Sequence, residues 1–183
     1  IRLYYIKLMK ILLLLSGLVL LYTYSGYPVL MSLYGYLFKR KRKIDENYLP
    51  TVTLIIPAHN EEDCIEKKIR NALELDYPAD KLEIIVASDC SNDNTVKIAG
   101  SIDPRIKVMD YKERGGKMRA VNRTVKIATG DIVVFTDANA SYASYTIKQL
   151  IKHFADPKVG CVGGAKIIRN PPSAINSTGM GEG

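Results

Sequence analysis

Cysteine is scarce in this chain of 183 residues, and its three cysteines form no close pair. Cys64, Cys90 and Cys161 lie far apart with no C-x-x-C spacing, which argues against a disulfide framework or a cysteine-based zinc site. They read as small packing residues in a reducing compartment. Acidic residues are absent from positions 1–43, and positions 11–38 carry no charge of either sign. The G-x-x-x-x-G-K-[ST] spacing of a phosphate-binding P-loop is absent as well. These absences locate the formal net charge of +7. Arg2, Lys7, Lys10 and the run Lys39-Arg-Lys-Arg-Lys43 supply eight positive charges, which leaves −1 for residues 44–183. A nucleic-acid surface would carry its basic patch on the folded domain, so no nucleic acid is expected among the partners. Three Asn-x-Ser/Thr patterns, starting at Asn122, Asn139 and Asn176, are short enough to recur by chance and mean nothing in a cytosolic domain.

What is present, first, is a long apolar segment. The uncharged run of 28 positions, 11 to 38, exceeds the ~20 residues a helix needs to cross a bilayer. Its apolar start gives way to Tyr22, Tyr24, Tyr27, Tyr34 and Tyr36, as where a helix nears the headgroup layer. Pro28 is expected to kink the helix or to turn it from spanning to interfacial. The run is too long for a cleaved signal peptide, and no small-residue cleavage site accompanies it. Five positive charges after it, against three before, favour the cytoplasmic face of the cell (inner) membrane for the downstream residues, with membrane lipid as a partner. The expected organisation is an anchor with a basic flank over 1–43, a linker over 44–50, an α/β domain over 51–168 and a connector over 169–183.

Past the linker, short β-rich runs alternate with amphipathic stretches. Strands are predicted at 52–56 (closed by Pro57), 82–87, 105–109, 131–136 and 159–162, with the apolar run Asp131-Ile-Val-Val-Phe-Thr136 placed centrally. Helices are predicted over 61–75, 94–102, 117–128 (ended by Gly130) and 146–154. Such alternation implies a mainly parallel sheet covered on both faces, with the ligand site at the carboxyl ends of its strands.

Four polar motifs stand at those ends. Pro57-Ala-His-Asn-Glu-Glu62 follows the first strand, where Asn60 can turn the chain and backbone N–H groups can meet an anion. Ser88-Asp-Cys-Ser-Asn-Asp-Asn-Thr95 follows the second; Asp89 could accept a base N–H or ribose hydroxyl, while Ser91 or Asp93 caps the next helix. Gly115-Gly116-Lys117 suits close approach to a diphosphate. Thr136-Asp137-Ala-Asn139 could hold Mg²⁺ or Mn²⁺ together with phosphate oxygens.

In order and spacing these motifs resemble family 2 glycosyltransferases, over roughly residues 50 to 168. Pro57, Ala58, Asn60 and Glu61 match the family's P-x-[YFH]-N-E strand end, and Asp89 and Ser91 its uridine-contacting D-x-S-x-D turn. Gly116, Lys117 and Asn122 match its G-K-x-x-A-x-N segment near base and ribose, and Asp137 and Asn139 its metal-binding D-x-D, with Asn in the third place. Gly26-Tyr-Pro28 before a basic cluster is similar to membrane-anchored members. The resemblance implies a Rossmann-like GT-A three-layer sandwich after a transmembrane helix. It also implies a nucleotide-sugar donor (a UDP-sugar first), a divalent metal and a saccharide or lipid-linked acceptor. The family's carboxylate base and Q-x-x-R-W segment are expected beyond Gly183, so this chain reads as the donor-binding part, inactive alone. The alternatives are a nucleotidyltransferase, although the Gly-rich basic loop after the first strand is missing, and a non-catalytic nucleotide-sugar-binding membrane module.

Overall fold

A computed structural model describes residues 2–38 and 43–165. Most of the basic cluster and the expected connector lie outside the described residues. The chain divides into two compact units, Ile1–Arg42 and Lys43–Gly183.

The first unit is helical: α1 (Arg2–Leu21), one wide π turn (Tyr22–Gly26) and α2 (Tyr27–Leu37). The continuous helix Arg2–Leu37 is long and apolar enough to cross a membrane. Its 36 residues span about 54 Å at 1.5 Å each, more than a ~30 Å hydrocarbon core. The expected kink at Pro28 takes the form of the π turn just before it. Proline lacks the N–H and its ring crowds the carbonyl four residues back. The Tyr27 N–H accordingly reaches back five residues to the Tyr22 carbonyl, which widens the turn where the misfit falls. Ser16 and Thr23 return their hydroxyls to the Leu13 and Val19 carbonyls, both at 2.8 Å, leaving neither hydroxyl hydrogen for lipid to satisfy.

The second unit is a parallel sheet in the order β3-β2-β1-β4. Its elements are β1 (Val52–Ala58), α3 (Ile65–Leu73), β2 (Leu82–Asp89), α4 (Thr95–Ile102), β3 (Ile106–Tyr111), α5 (Lys117–Val125), β4 (Ile132–Phe135) and α6 (Thr146–Ile151). Every residue of β1 is buried, because helices cover both faces. Val52, Leu54 and Ile56 point into the larger core with Ile65, Ile69, Ala99, Ile147 and Ile151, from α3, α4 and α6. Ile55 and Ala87 point the other way, onto Ala120 of α5. That is three layers.

Several sequence expectations change. The 131–136 strand is not central: among the described residues β4 pairs only with β1 and Phe135 is exposed. An apolar run reports burial of a strand's faces; the crossovers set its place in the sheet. No strand forms at 159–162, where the chain is irregular. Gly160 and the glycines at 163 and 164 leave too little side chain to hold a ladder. Pro57 does not close β1, which pairs through Ala58 with Ser88. The Ile55 carbonyl accepts the Thr136 N–H, so Pro57, two residues on, faces the same flank after β4 has ended and needs no donor. Gly130 does not cap α5, which ends at Val125. A Cβ there would stand 2.5 Å from the Thr53 nitrogen, and its N–H donates to Thr53 Oγ1 at 2.9 Å; glycine permits that close approach. The helix expected from 61 starts at Ile65, because the N–H groups of Glu61 and Glu62 bond to the neighbouring turn.

Candidate functional site: a cleft at the strand ends

The chain runs from β1 to β2 to β3 in one direction and returns to place β4 on the other side of β1. A crevice opens where such order reverses, beyond the carboxyl ends of the strands. Here it is a cleft of about 240 Å³ lined by Pro57, Ala58, His59, Glu61, Asp89, Lys117, Asp137, Ala138 and Asn139.

The turns after β1 and β2 are stitched together. The Asn60 N–H donates to Ser91 Oγ at 3.2 Å, and Asn60 Oδ1 accepts the Asn92 N–H at 3.0 Å. The Glu61 N–H donates to Thr95 Oγ1 at 2.8 Å and the Glu62 N–H to the Asp93 carboxylate at 3.2 Å. Asp93 also accepts the Thr95 N–H at 2.9 Å, but the N-cap of α4 is Asn94, so neither Ser91 nor Asp93 holds the cap position expected of them. Burial pushes the Asp93 carboxyl up, but the bonds from Thr95 and Glu62 outweigh that and hold it below its ordinary value. Asn60 and Cys90 sit at positive φ, 54° and 59°, a strained conformation concentrated at the cleft.

Asp89 is 5% exposed. Its two carboxylate oxygens accept the N–H groups of Gly115 (2.8 Å) and Gly116 (2.7 Å), and its carbonyl accepts from His59 Nδ1 at 2.8 Å. The carboxylate read as a nucleoside contact anchors the glycine turn, and Asp89 is among the residues that line the cleft. Gly116 has φ 81° and ψ 158°, a region open essentially only to glycine. That turn aims Lys117, at the start of α5, across the cleft onto the Asp137 carboxylate. Both side chains are about half exposed, 58% and 42%, so the pair is worth little and yields readily to a ligand.

Asp137 and Asn139 offer the oxygen donors that suit Mg²⁺ or Mn²⁺. No group of three or more His, Cys, Asp or Glu that could hold a metal stands among the described residues. Two such oxygen donors fall short of the about six that these cations take, so a cation held there would draw its other ligands from a bound phosphate or from water. Of the predicted residues, Pro57, Ala58, Glu61, Asp89, Lys117, Asp137 and Asn139 line the cleft. Asn60, Ser91 and Gly116 shape the turns behind it, and Asn122 is exposed on α5, outside the lining. Glu61 accepts the Cys64 thiol at 2.9 Å; burial, then that contact, pushes the thiol up to about 11.

Sequence reasoning missed Lys68. It lies on the buried face of α3, 2% exposed, and donates to Thr136 Oγ1 and the Ala140 carbonyl, both at 2.8 Å. Its position between Ile65, Ile69 and Ala72 on one apolar stripe was the available signal.

The chain is similar to known proteins in sequence and in fold. The chain is 33% identical over 168 residues to poly-β-1,6-N-acetyl-D-glucosamine synthase of Staphylococcus aureus, covering 81% of this chain and 40% of that protein. It is 33% identical over 139 residues to β-monoglucosyldiacylglycerol synthase of Synechocystis, covering 73% and 29%. The chain thus spans well under half the length of these relatives. Among solved structures it resembles the mannosyltransferase PcManGT from Pyrobaculum calidifontis in complex with GDP-Man and Mn²⁺ (TM-score 0.66, 36% identity, 78% of this chain and 44% of that one). It also resembles residues 1–349 of Staphylococcus aureus TarS in complex with UDP-GlcNAc (TM-score 0.52, 27% identity, 54% and 29%). The α/β sandwich is therefore of the GT-A type. The sequence model described as glycosyl transferase family 2 matches residues 53–179, across the sheet, the stitched turns and the cleft between Lys117 and Asp137, and the chain belongs to that family.

Proposed function

We propose that this chain is the donor-binding part of a membrane-anchored glycosyltransferase. The enzyme moves a sugar from a nucleotide-diphospho-sugar, a UDP-sugar first, to a saccharide or lipid-linked acceptor at the cytoplasmic membrane face. The observation that carries this is the convergence of Lys117, Asp137 and Asn139 on one cleft at the sheet's reversal point. Helix Arg2–Leu37 supports the anchor, and the charge asymmetry around it the side.

In the reaction, an acceptor hydroxyl oxygen bonds to the anomeric carbon as the bond from that carbon to the diphosphate breaks. The nucleoside diphosphate departs with the electron pair, and the hydroxyl proton passes to a carboxylate base. A divalent metal on Asp137 and Asn139 would offset the charge that grows on the leaving diphosphate. Lys117 exchanges its exposed ion pair with Asp137 for the phosphate oxygens and adds to that stabilisation. Asp89 keeps Lys117 in place through the glycine turn. The relatives' greater length leaves room for the base, which we assign downstream of Gly183.

Calorimetric titration of the full chain in detergent with UDP and with GDP, each with and without Mn²⁺, tests the reading. Metal-dependent binding that Asp137→Ala abolishes is expected. A folded chain that binds neither nucleotide in Mn²⁺ would sink it.

A further inference from the structure

Lys68 and Asp89 are the buried charged side chains among the described residues. Asp89 is accounted for by the glycine turn; Lys68 belongs to no motif. An ammonium inside a protein is costly, and a methionine would fill the same space without that cost. What the ammonium holds explains its presence. Its two 2.8 Å bonds go to Thr136 and Ala140, the two ends of the loop whose apex, Asp137-Ala138-Asn139, lines the cleft. The loop's own Ala140 N–H closes back on the Asp137 carbonyl at 3.1 Å. The third side of the ammonium rests 4.4 Å from the centre of the Tyr142 ring, a favourable seat for a cation. Tyr142 is itself fixed: its N–H and carbonyl bond to the Asn71 side chain, both at 2.8 Å, and its hydroxyl donates to the Phe135 carbonyl at 2.9 Å. One cation thus ties α3 to both ends of the loop.

We infer that Lys68 is a positioning residue for the diphosphate end of the donor: it pins the loop at 136–140 from beneath and places an ammonium under the cleft. This rests on the donor-site reading of the cleft. Burial pushes Lys68 down to about 8, and the negative charge of Asp137 works against that. At saturating metal, loss of the tether and loss of the charge act in the same direction. Both weaken diphosphate binding, and neither bears on the nucleoside, which would lie toward the stitched turns.

The test compares UDP with uridine, each titrated at saturating Mn²⁺ into the full chain in detergent, for wild type, Lys68→Met and Thr136→Val. Melting curves establish that each variant is folded. Lys68→Met is expected to weaken UDP about tenfold and to leave uridine within about twofold, the range of one charge acting through a few ångströms of protein. Thr136→Val keeps the charge and removes one of the two tethers, so its selective loss is about threefold. A folded Lys68→Met with the wild-type ratio of UDP to uridine affinity overturns the inference, and so does equal weakening of both ligands. If Lys68→Met does not fold, Thr136→Val decides: selective loss of UDP supports the assignment, and the wild-type ratio removes it. Failure of the wild-type chain to bind UDP would instead bring down the donor-site reading itself.

Discussion

Asp89→Asn separates two roles that one carboxylate can play at this cleft. In the protein the two oxygens of Asp89 accept the Gly115 and Gly116 N–H groups at 2.8 and 2.7 Å. Asparagine keeps one acceptor and turns an NH₂ group toward the other N–H. A hydrogen bond to a charged acceptor contributes about 1.5–3 kcal/mol. Gly115 and Gly116 are exposed, so water can take over part of the loss. The expected cost is therefore about 2 kcal/mol, roughly a thirtyfold drop in the population of the ordered turn. Lys117, which the turn aims at the cleft, should lose its position with it. Hydrogen exchange at the Gly115 and Gly116 amides is the direct assay, beside the melting temperature and the UDP affinity in Mn²⁺. Faster exchange there with weakened UDP binding is the expected pattern. Unchanged exchange and stability with UDP binding lost would refute the anchoring argument, and make Asp89 a ligand contact alone.

Glu83 is only 11% exposed at its side chain and accepts from Lys107 (2.6 Å), the Thr129 N–H (2.9 Å) and Thr53 (2.5 Å). Burial pushes its carboxyl up, but these bonds outweigh it and hold the group at about 2, against an ordinary 4.5. A depressed carboxyl stabilises above its unfolded value and loses that contribution as pH falls through the folded one. About 3 kcal/mol should therefore disappear between pH 5 and pH 2, and Glu83→Gln should flatten that part of the stability–pH curve in urea titrations. An unaltered slope in the variant would show that Glu83 is not the group responsible. Gly116→Ala forces a side chain into φ 81° and should cost about 1–3 kcal/mol and weaken UDP binding. Gly100→Ala in α4, where a Cβ meets nothing within 4 Å, should instead be neutral or add about 0.5–1 kcal/mol by thermal melt.

The parts of this protein that the sequence determined by itself are the local ones. Alternating apolar runs and amphipathic stretches mark β1, α3, β2, α4, β3 and α5 within a few residues, because period and punctuation are properties of neighbouring positions. The uncharged run before the basic cluster marks the helix Arg2–Leu37 for the same reason, and the polar motifs stand at strand ends in the chain as in space. Tertiary structure decided what depends on partners far along the chain. It set β4 at the edge of the described sheet, left residues 159–162 without a ladder, and let β1 run through Pro57 because β4 stops short of it. It turned Gly130 from a helix cap into a point of close approach to Thr53, 77 positions away. It also committed the Asp89 carboxylate to backbone N–H groups 26 and 27 positions on, and drew Lys68 under a loop 68 positions away. A buried charge looks like any other lysine in a helix until the fold supplies its acceptors, since its cost and its role are both set by what surrounds it.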